Sequence, residues 1–319
     1  MSRSEKVVPF FKAHPASSRS SPLQSVLVAL DLTPDSDRVI GRVALLPLAH
    51  AAQVTLLHVV PSGLMPRERM YAEREAVKLL SREAEHWRER LRGNVKIASI
   101  VKIGTAAKDI AKQALQSKSD LIVMGRGRGR PLRDAILGST AERVIRQARV
   151  PVLAVRLAPR AEYRRPTLAL DLDPVAEDIV RLALRVLPAR RPPLDVIHAF
   201  DDLYESRIYK HLNERETEER KELLRAKALH DISGVFGAAL AKAETRPEEG
   251  GVGRVGVRPG PPRSVVEEHV KTIEADLLVV GTRGYSGAAY MLFGTVSGDL
   301  LRATKCDVLI VPPSAARST

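Results

Sequence analysis

A chain of 319 residues, 44% of them hydrophobic, has the length of about two ordinary domains and enough apolar content for two cores. Its formal net charge of +13 favours phosphate-bearing partners without naming one, and with 4% aromatic residues it has no basic stripe interleaved with rings for stacking single-stranded nucleic acid. No apolar run nears the ~20 residues of a membrane span, and the single cysteine, Cys306, excludes an internal disulfide and a cysteine-built metal site; both suit a reducing cytoplasm.

Residues 1–22 lack the apolar core of a secretory signal and are expected to form a mobile basic tail. Thereafter short β-branched runs bounded by Gly, Pro or Asp read as buried strands: SVLVALD, QVTLLHVV, NVKIASIVKIG, DLIVMG and VPVLAVR. Stretches with helical spacing lie between them, such as DRVIGRVALLPLA and AAKDIAKQAL. The pattern breaks at LAPRAEYRRP, where Pro and Arg mark a linker over 159–166 between a first domain, 23–158, and a second, 167–319.

The second domain repeats the first. VALDLTP, with Asp31, corresponds to LALDLDP, with Asp171, and the His of TLLHVV, His58, to that of DVIHAF, His198, both 140 residues apart. Further on, Gly104 matches Gly260, Asp120 matches Asp276, Gly125 matches Gly281, Gly138-Ser139 matches Gly294-Thr295 and Val152 matches Val308, all 156 apart. The 16 extra residues fall between His198 and Gly260, where the composition favours one long or broken helix with a solvated charged face. Strands alternating with helices, apolar enough to be covered on both faces, predict an α/β protein with doubly wound parallel sheets.

In such sheets ligands bind beyond the carboxyl ends of the strands. The run GTRGYSGAAYMLFGTVSGDLL begins at such an end: Gly281 and Gly284 admit close approach of the backbone to a ligand, and Gly294-Thr295 opens a helix with unpaired N–H groups. The plainer reading is a turn with Thr295 as a helix cap.

Gly281, Gly284, Gly294 and Thr295 spell G-x2-G-x9-G-T, which resembles the ATP-binding signature of the universal stress protein family. The resemblance extends to LDL after the first strand, the Leu-His pair in the second and the closing DVLIVP strand, and it spans nearly the whole chain twice. It implies two tandem doubly wound five-stranded parallel sheets of order 3-2-1-4-5, Rossmann-like, with ATP, and Mg as its companion, across the carboxyl edge. Carried onto the second domain, it puts Asp171 at the adenine and ribose end, the backbone of Ala199 at the base, Val280 and Gly281 at the ribose, and Gly284, Gly294, Thr295, Val296 and Ser297 at the phosphates. The weaker first-domain set is Asp31, Val59, Met124, Gly125, Gly138 and Ser139, because Arg128 replaces the glycine matching Gly284 and Thr140 and Ala141 replace Val296 and Ser297. The resemblance also implies that the fifth strands pair the two copies as an intramolecular pseudo-dimer; a homodimer of whole chains has no residue of its own to support it.

No Walker lysine accompanies the glycines, and neither loop carries an obvious base to orient a water. His58 and His198 recur at one point of a strand, as structural histidines do. The expected function is therefore a nucleotide-dependent stress-response switch with slow or no hydrolysis. The competitors are an enzyme that hydrolyses ATP or transfers its phosphoryl or adenylyl group, and a basic nucleic-acid binder using GRGRGRPLR, which the scarcity of aromatics disfavours.

Overall fold

The computed structural model describes residues 22–91, 95–125, 139–173, 175–187, 193–200, 213–242, 252–282 and 295–312. The first half runs β1 (Leu23–Ala29), α1 (Ser36–Val43), β2 (Leu48–Pro61), α2 (Pro66–Arg90), β3 (Lys96–Gly104), α3 (Ala106–Gln116), β4 (Leu121–Gly125), α4 (Ser139–Gln147) and β5 (Val152–Val155). The second runs β6 (Pro166–Ala169), α5 (Ala176–Val186), β7 (Leu194–Phe200), α6 (Glu214–Lys242), β8 (Val252–Pro259), α7 (Pro262–Thr272), β9 (Leu277–Gly281), α8 (Thr295–Ala303) and β10 (Asp307–Val311).

Each half has strand order 3-2-1-4-5 with parallel pairing, but the sheets are not separate. They join into one ten-stranded sheet, β3-β2-β1-β4-β5-β10-β9-β6-β7-β8, through an antiparallel pairing of β5 with β10 that sets Leu153 opposite Leu309. Both seam strands are buried on both faces, so unpaired they would leave backbone N–H and C=O groups without partners or water. Alternate residues of the strands feed two cores. Val26, Val28 and Val279 pack with α1, α2, α5 and α6 on one face, and Leu27, Ile122 and Leu278 with α3, α4, α7 and α8 on the other.

One expected helix is shorter than its spacing suggests. The apolar period of DRVIGRVALLPLA continues to Ala49, yet α1 ends at Val43, because Pro47 has no N–H to extend the ladder. Leu48 joins β2 instead, and the pairing with β1 shifts register between Leu23 and Ser25, where Ala51 takes φ 62. In the second crossover, residues 214–242 form a single helix of about 44 Å at ~1.5 Å per residue. Its later turns bury Ala228, Ile232, Phe236 and Ala239; its earlier turns are solvated and laced with ion pairs such as Arg215–Glu219. No helix among the described residues is long and apolar enough to cross a membrane.

A buried polar cluster ties the halves together beside the seam. Asp307 Oδ1 accepts the N–H groups of Arg156 (2.7 Å) and Leu157 (2.8 Å), and Oδ2 accepts the Tyr163 hydroxyl (2.8 Å). Arg42 Nε stands 3.2 Å from Asp307 Oδ2 as an ion pair without hydrogen-bond alignment, its guanidinium lies 4.1 Å above the Tyr163 ring, and its Nη1 donates to the carbonyl of Ala161. Burial, then the Asp307 carboxylate, raises the Tyr163 pKa well above its ordinary value, so the phenol stays protonated and donates. The Arg156 guanidinium donates to the carbonyls of Leu301 and Thr304. The segment after β5, expected as a plain linker, is thus built into the seam.

Candidate functional site

Strands β1 and β4 are neighbours, yet α1 and α4 pack on opposite faces; the same holds for β6 and β9 with α5 and α8. Crossovers that part in this way open a crevice at the carboxyl ends of the two strands. Each half has one.

In the second half the crevice collects residues from four elements. Asp171 follows β6 and is exposed, Ala199 lies near the end of β7, Val280 and Gly281 end β9, and Thr295, Val296 and Ser297 form the first turn of α8. Gly284 and Gly294 lie outside the described residues. In the first half Asp31 follows β1, Val59 lies in β2, Met124 and Gly125 end β4, and Ser139 begins α4, while Gly127, Arg128, Gly129 and Gly138 lie outside the described residues.

Gly281 is explained by packing. It is a strand residue, and a Cβ there would lie 2.6 Å from Ile179 Cδ1 on α5. Gly125 repeats the arrangement, with Val39 Cγ2 3.1 Å from the corresponding point. At both strand ends the close approach is that of the crossover helix, and Gly281 itself is held in β9.

Ser297 is 6% exposed and its hydroxyl donates to the Gly281 carbonyl at 2.6 Å, so its one proton is spent within the protein. The bond fastens the first turn of α8 to the end of β9. What that turn offers outward is backbone N–H, unpaired by helix geometry and at the positive end of the dipole. The first half has Ala141 in this place, fully buried and unable to form such a bond.

The acidic turns also differ. Asp31 Oδ1 accepts from the Thr33 hydroxyl (2.7 Å), the Thr33 N–H (3.3 Å) and the Ser36 hydroxyl (3.4 Å). In the second half Asp173 stands in place of Thr33; it accepts the Val175 N–H at 3.0 Å and cannot donate to Asp171.

Both strand histidines are structural. Nδ1 of His58 lies 2.8 Å from the Leu30 carbonyl, and Nδ1 of His198 lies 2.8 Å from the Leu170 carbonyl. A carbonyl only accepts, so each Nδ1 carries the proton and anchors its ring to the residue that follows the first strand of its half. Asp120 and Asp276 are structural as well, accepting the N–H groups of Gln24 and Ser25 and of Arg164 and Arg165 respectively. Burial pushes the Cys306 thiol up to about 11, which leaves it unreactive at neutral pH. Among the described residues no three His, Cys, Asp or Glu side chains gather to hold a metal ion. The seam cluster went unread in the sequence, although a signal existed: the repeat puts Pro151 where Asp307 stands, a charged-for-apolar mismatch inside a buried strand.

Two doubly wound halves, each with a crevice and a helix start at its switch point, define a tandem doubly wound α/β protein. The profile of the Universal stress protein family matches residues 22–156 and again 162–312, and the chain belongs to that family. A universal stress protein of Mycobacterium tuberculosis (strain ATCC 25618 / H37Rv) is 26% identical over 205 residues, 63% of this chain and 64% of the relative, so the chain spans just under two thirds of that relative's length. Universal stress protein A homolog 2 of Coxiella burnetii is 34% identical over 140 residues, 42% of this chain and 95% of the relative. Two solved structures share the tandem fold. A functionally unknown protein from Pseudomonas aeruginosa PAO1 has TM-score 0.60 at 18% identity, covering 92% of this chain and 94% of its own. A universal stress protein from Archaeoglobus fulgidus DSM 4304 has TM-score 0.60 at 17% identity, covering 90% and 96%.

Proposed function

We propose that the chain is an ATP-binding universal stress protein whose dominant site is the crevice of the second half, and that occupancy acts as a switch of conformation or partner with slow or no hydrolysis. The observation that carries the reading is the first turn of α8, fastened by Ser297 to the end of β9, where the crossovers of β6 and β9 part. A helix start held at a switch point offers preorganised N–H donors to phosphate. In this reading Asp171 takes the adenine and ribose end, the Ala199 backbone meets the base, Val280 and Gly281 line the ribose, and Gly284, Gly294, Thr295, Val296 and Ser297 hold the phosphates, Ser297 through its N–H. Mg would be carried on the phosphate oxygens, which suits a cation that keeps much of its water shell.

Hydrolysis needs a group that orients a water, and the glycine loop of the second half, TRGYSGAAYMLFG, contains no carboxylate or histidine. The test is calorimetric titration of the full chain with MgATP, followed by an assay for released ADP or AMP. Saturable binding with turnover negligible over the binding experiment is expected. No binding would refute the site, and rapid stoichiometric release would replace the switch with an enzyme.

A further inference from the structure

We infer that the seam is coded for heterotypic pairing: the first half fits the second, and each half rejects another copy of itself. The antiparallel pairing of β5 with β10 relates the halves by a pseudo-two-fold. Under that symmetry every cross-seam contact between repeated residues should occur twice. Contacts within each half do recur, as Val39 beneath Gly125 and Ile179 beneath Gly281 show, and so do the two histidine–carbonyl bonds.

The cross-seam ion pairs behave differently. Arg42–Asp307 (3.2 Å) joins α1 of the first half to β10 of the second, and the mirror positions are Leu182 and Pro151. Arg185–Asp120 (3.0 Å) has the mirror Leu45 and Asp276. Arg302–Glu142 (3.1 Å) has the mirror Arg146 and Gly298. Each of the three is made on one side alone.

Their one-sidedness selects the partner. Two first halves joined through β5 would bury both Arg42 side chains opposite Pro151. Two second halves joined through β10 would bury both Asp307 carboxylates opposite Leu182. There the position equivalent to Arg156, whose N–H holds Asp307, is Pro312, which has no N–H. Arg42 and Asp307 are 4% and 0% exposed, so either homotypic seam strands a charge away from water, whereas the observed pairing strands neither. The occupant of the seam is the other half of the same chain, which closes this edge to growth by further copies.

The test uses the full chain carrying a protease site after the exposed Arg160, cut once after folding, with heavy- and light-isotope preparations mixed and dimers read by native mass spectrometry. Cut wild-type protein should yield only first–second pairs that exchange between preparations. With Arg42→Leu and Asp307→Leu together, homotypic pairs should rise about tenfold or more, because the stranded charges are gone. Abundant homotypic pairs in the cut wild type, or an unchanged share in a double variant whose uncut melting is cooperative, would overturn the inference. If that variant does not fold, the partly exposed pair decides: Arg302→Glu should weaken first–second association several-fold, and adding Glu142→Arg should restore it. Failure to restore would equally overturn it. The result does not depend on whether ATP binds.

Discussion

The two crevices share a backbone plan and differ in what their edges can hold. In the first half Asp31 is gathered in by Thr33 and Ser36, Ala141 stands where Ser297 makes its bond, and Arg128 stands where the signature asks for glycine. In the second, Asp171 is exposed and Ser297 fastens α8 to β9. A repeat can therefore keep a fold twice while its crevice edges diverge, because the fold rests on β-branched strands and the edges on a few residues. The seam shows the same division of labour, with symmetric strands and asymmetric charges.

The largest effect expected from disturbing this comparison is at the seam. Asp307→Ala leaves Arg42 buried without its partner and should cost about 3–5 kcal/mol in denaturant unfolding, whereas the mirror change Pro151→Ala should cost under ~1 kcal/mol. Equal costs would mean that the halves are joined by the strands alone.

Next in size is Arg128→Gly. If the guanidinium blocks a phosphate position, the substitution should strengthen nucleotide binding by the first half about tenfold, since a hydrogen bond to a charged group contributes roughly 1.5–3 kcal/mol. Titration of the full chain carrying Asp171→Ala, with and without Arg128→Gly, reads the sign; weaker binding would mean that Arg128 grips the anion itself.

Ser297→Ala removes the fastening of α8 and should weaken ATP binding several-fold, at about 1 kcal/mol. Ala141→Ser in the first half tests the converse, a small gain if the new hydroxyl reaches the Gly125 carbonyl. A Ser297→Ala protein with unaltered affinity would show that the helix start is rigid without it.

Smallest is Cys306→Val. The repeat places Val150 at the same point, also buried, so stability at neutral pH should change by under ~1 kcal/mol. Because the folded thiol titrates near 11, above its unfolded value, the wild type should lose stability as pH rises from about 9 towards 11. The Val variant should lack that component of the decline.

The architecture was readable because buried strands announce themselves in DLIVM and DLLVV, and because the repeat doubles every such signal. The end of α1 was misjudged where one proline outweighed a continuing apolar period, and the register shift behind it has no signature in composition. The spacing of the glycines pointed to the carboxyl edge of β9 but not to the reason for Gly281, which depends on where Ile179 of α5 lands. The resemblance puts Ser297 at the phosphates, and the sequence does not show the Gly281 carbonyl that takes up its hydroxyl and leaves its N–H for that role. Pairing of the copies through their fifth strands was implied by the family resemblance, but not their fusion into one continuous sheet, and the ion pairs that make the joint directional connect residues 65 to 265 positions apart, beyond the reach of any local pattern.

The claim that the second crevice is the dominant ATP site is tested most directly by calorimetry on three full-length proteins: wild type, Asp171→Ala and Asp31→Ala. The account predicts one dominant site in the wild type, weakened about tenfold or more by Asp171→Ala and little changed by Asp31→Ala. The reverse order, with Asp31→Ala abolishing the tighter site while Asp171→Ala leaves it intact, would contradict it.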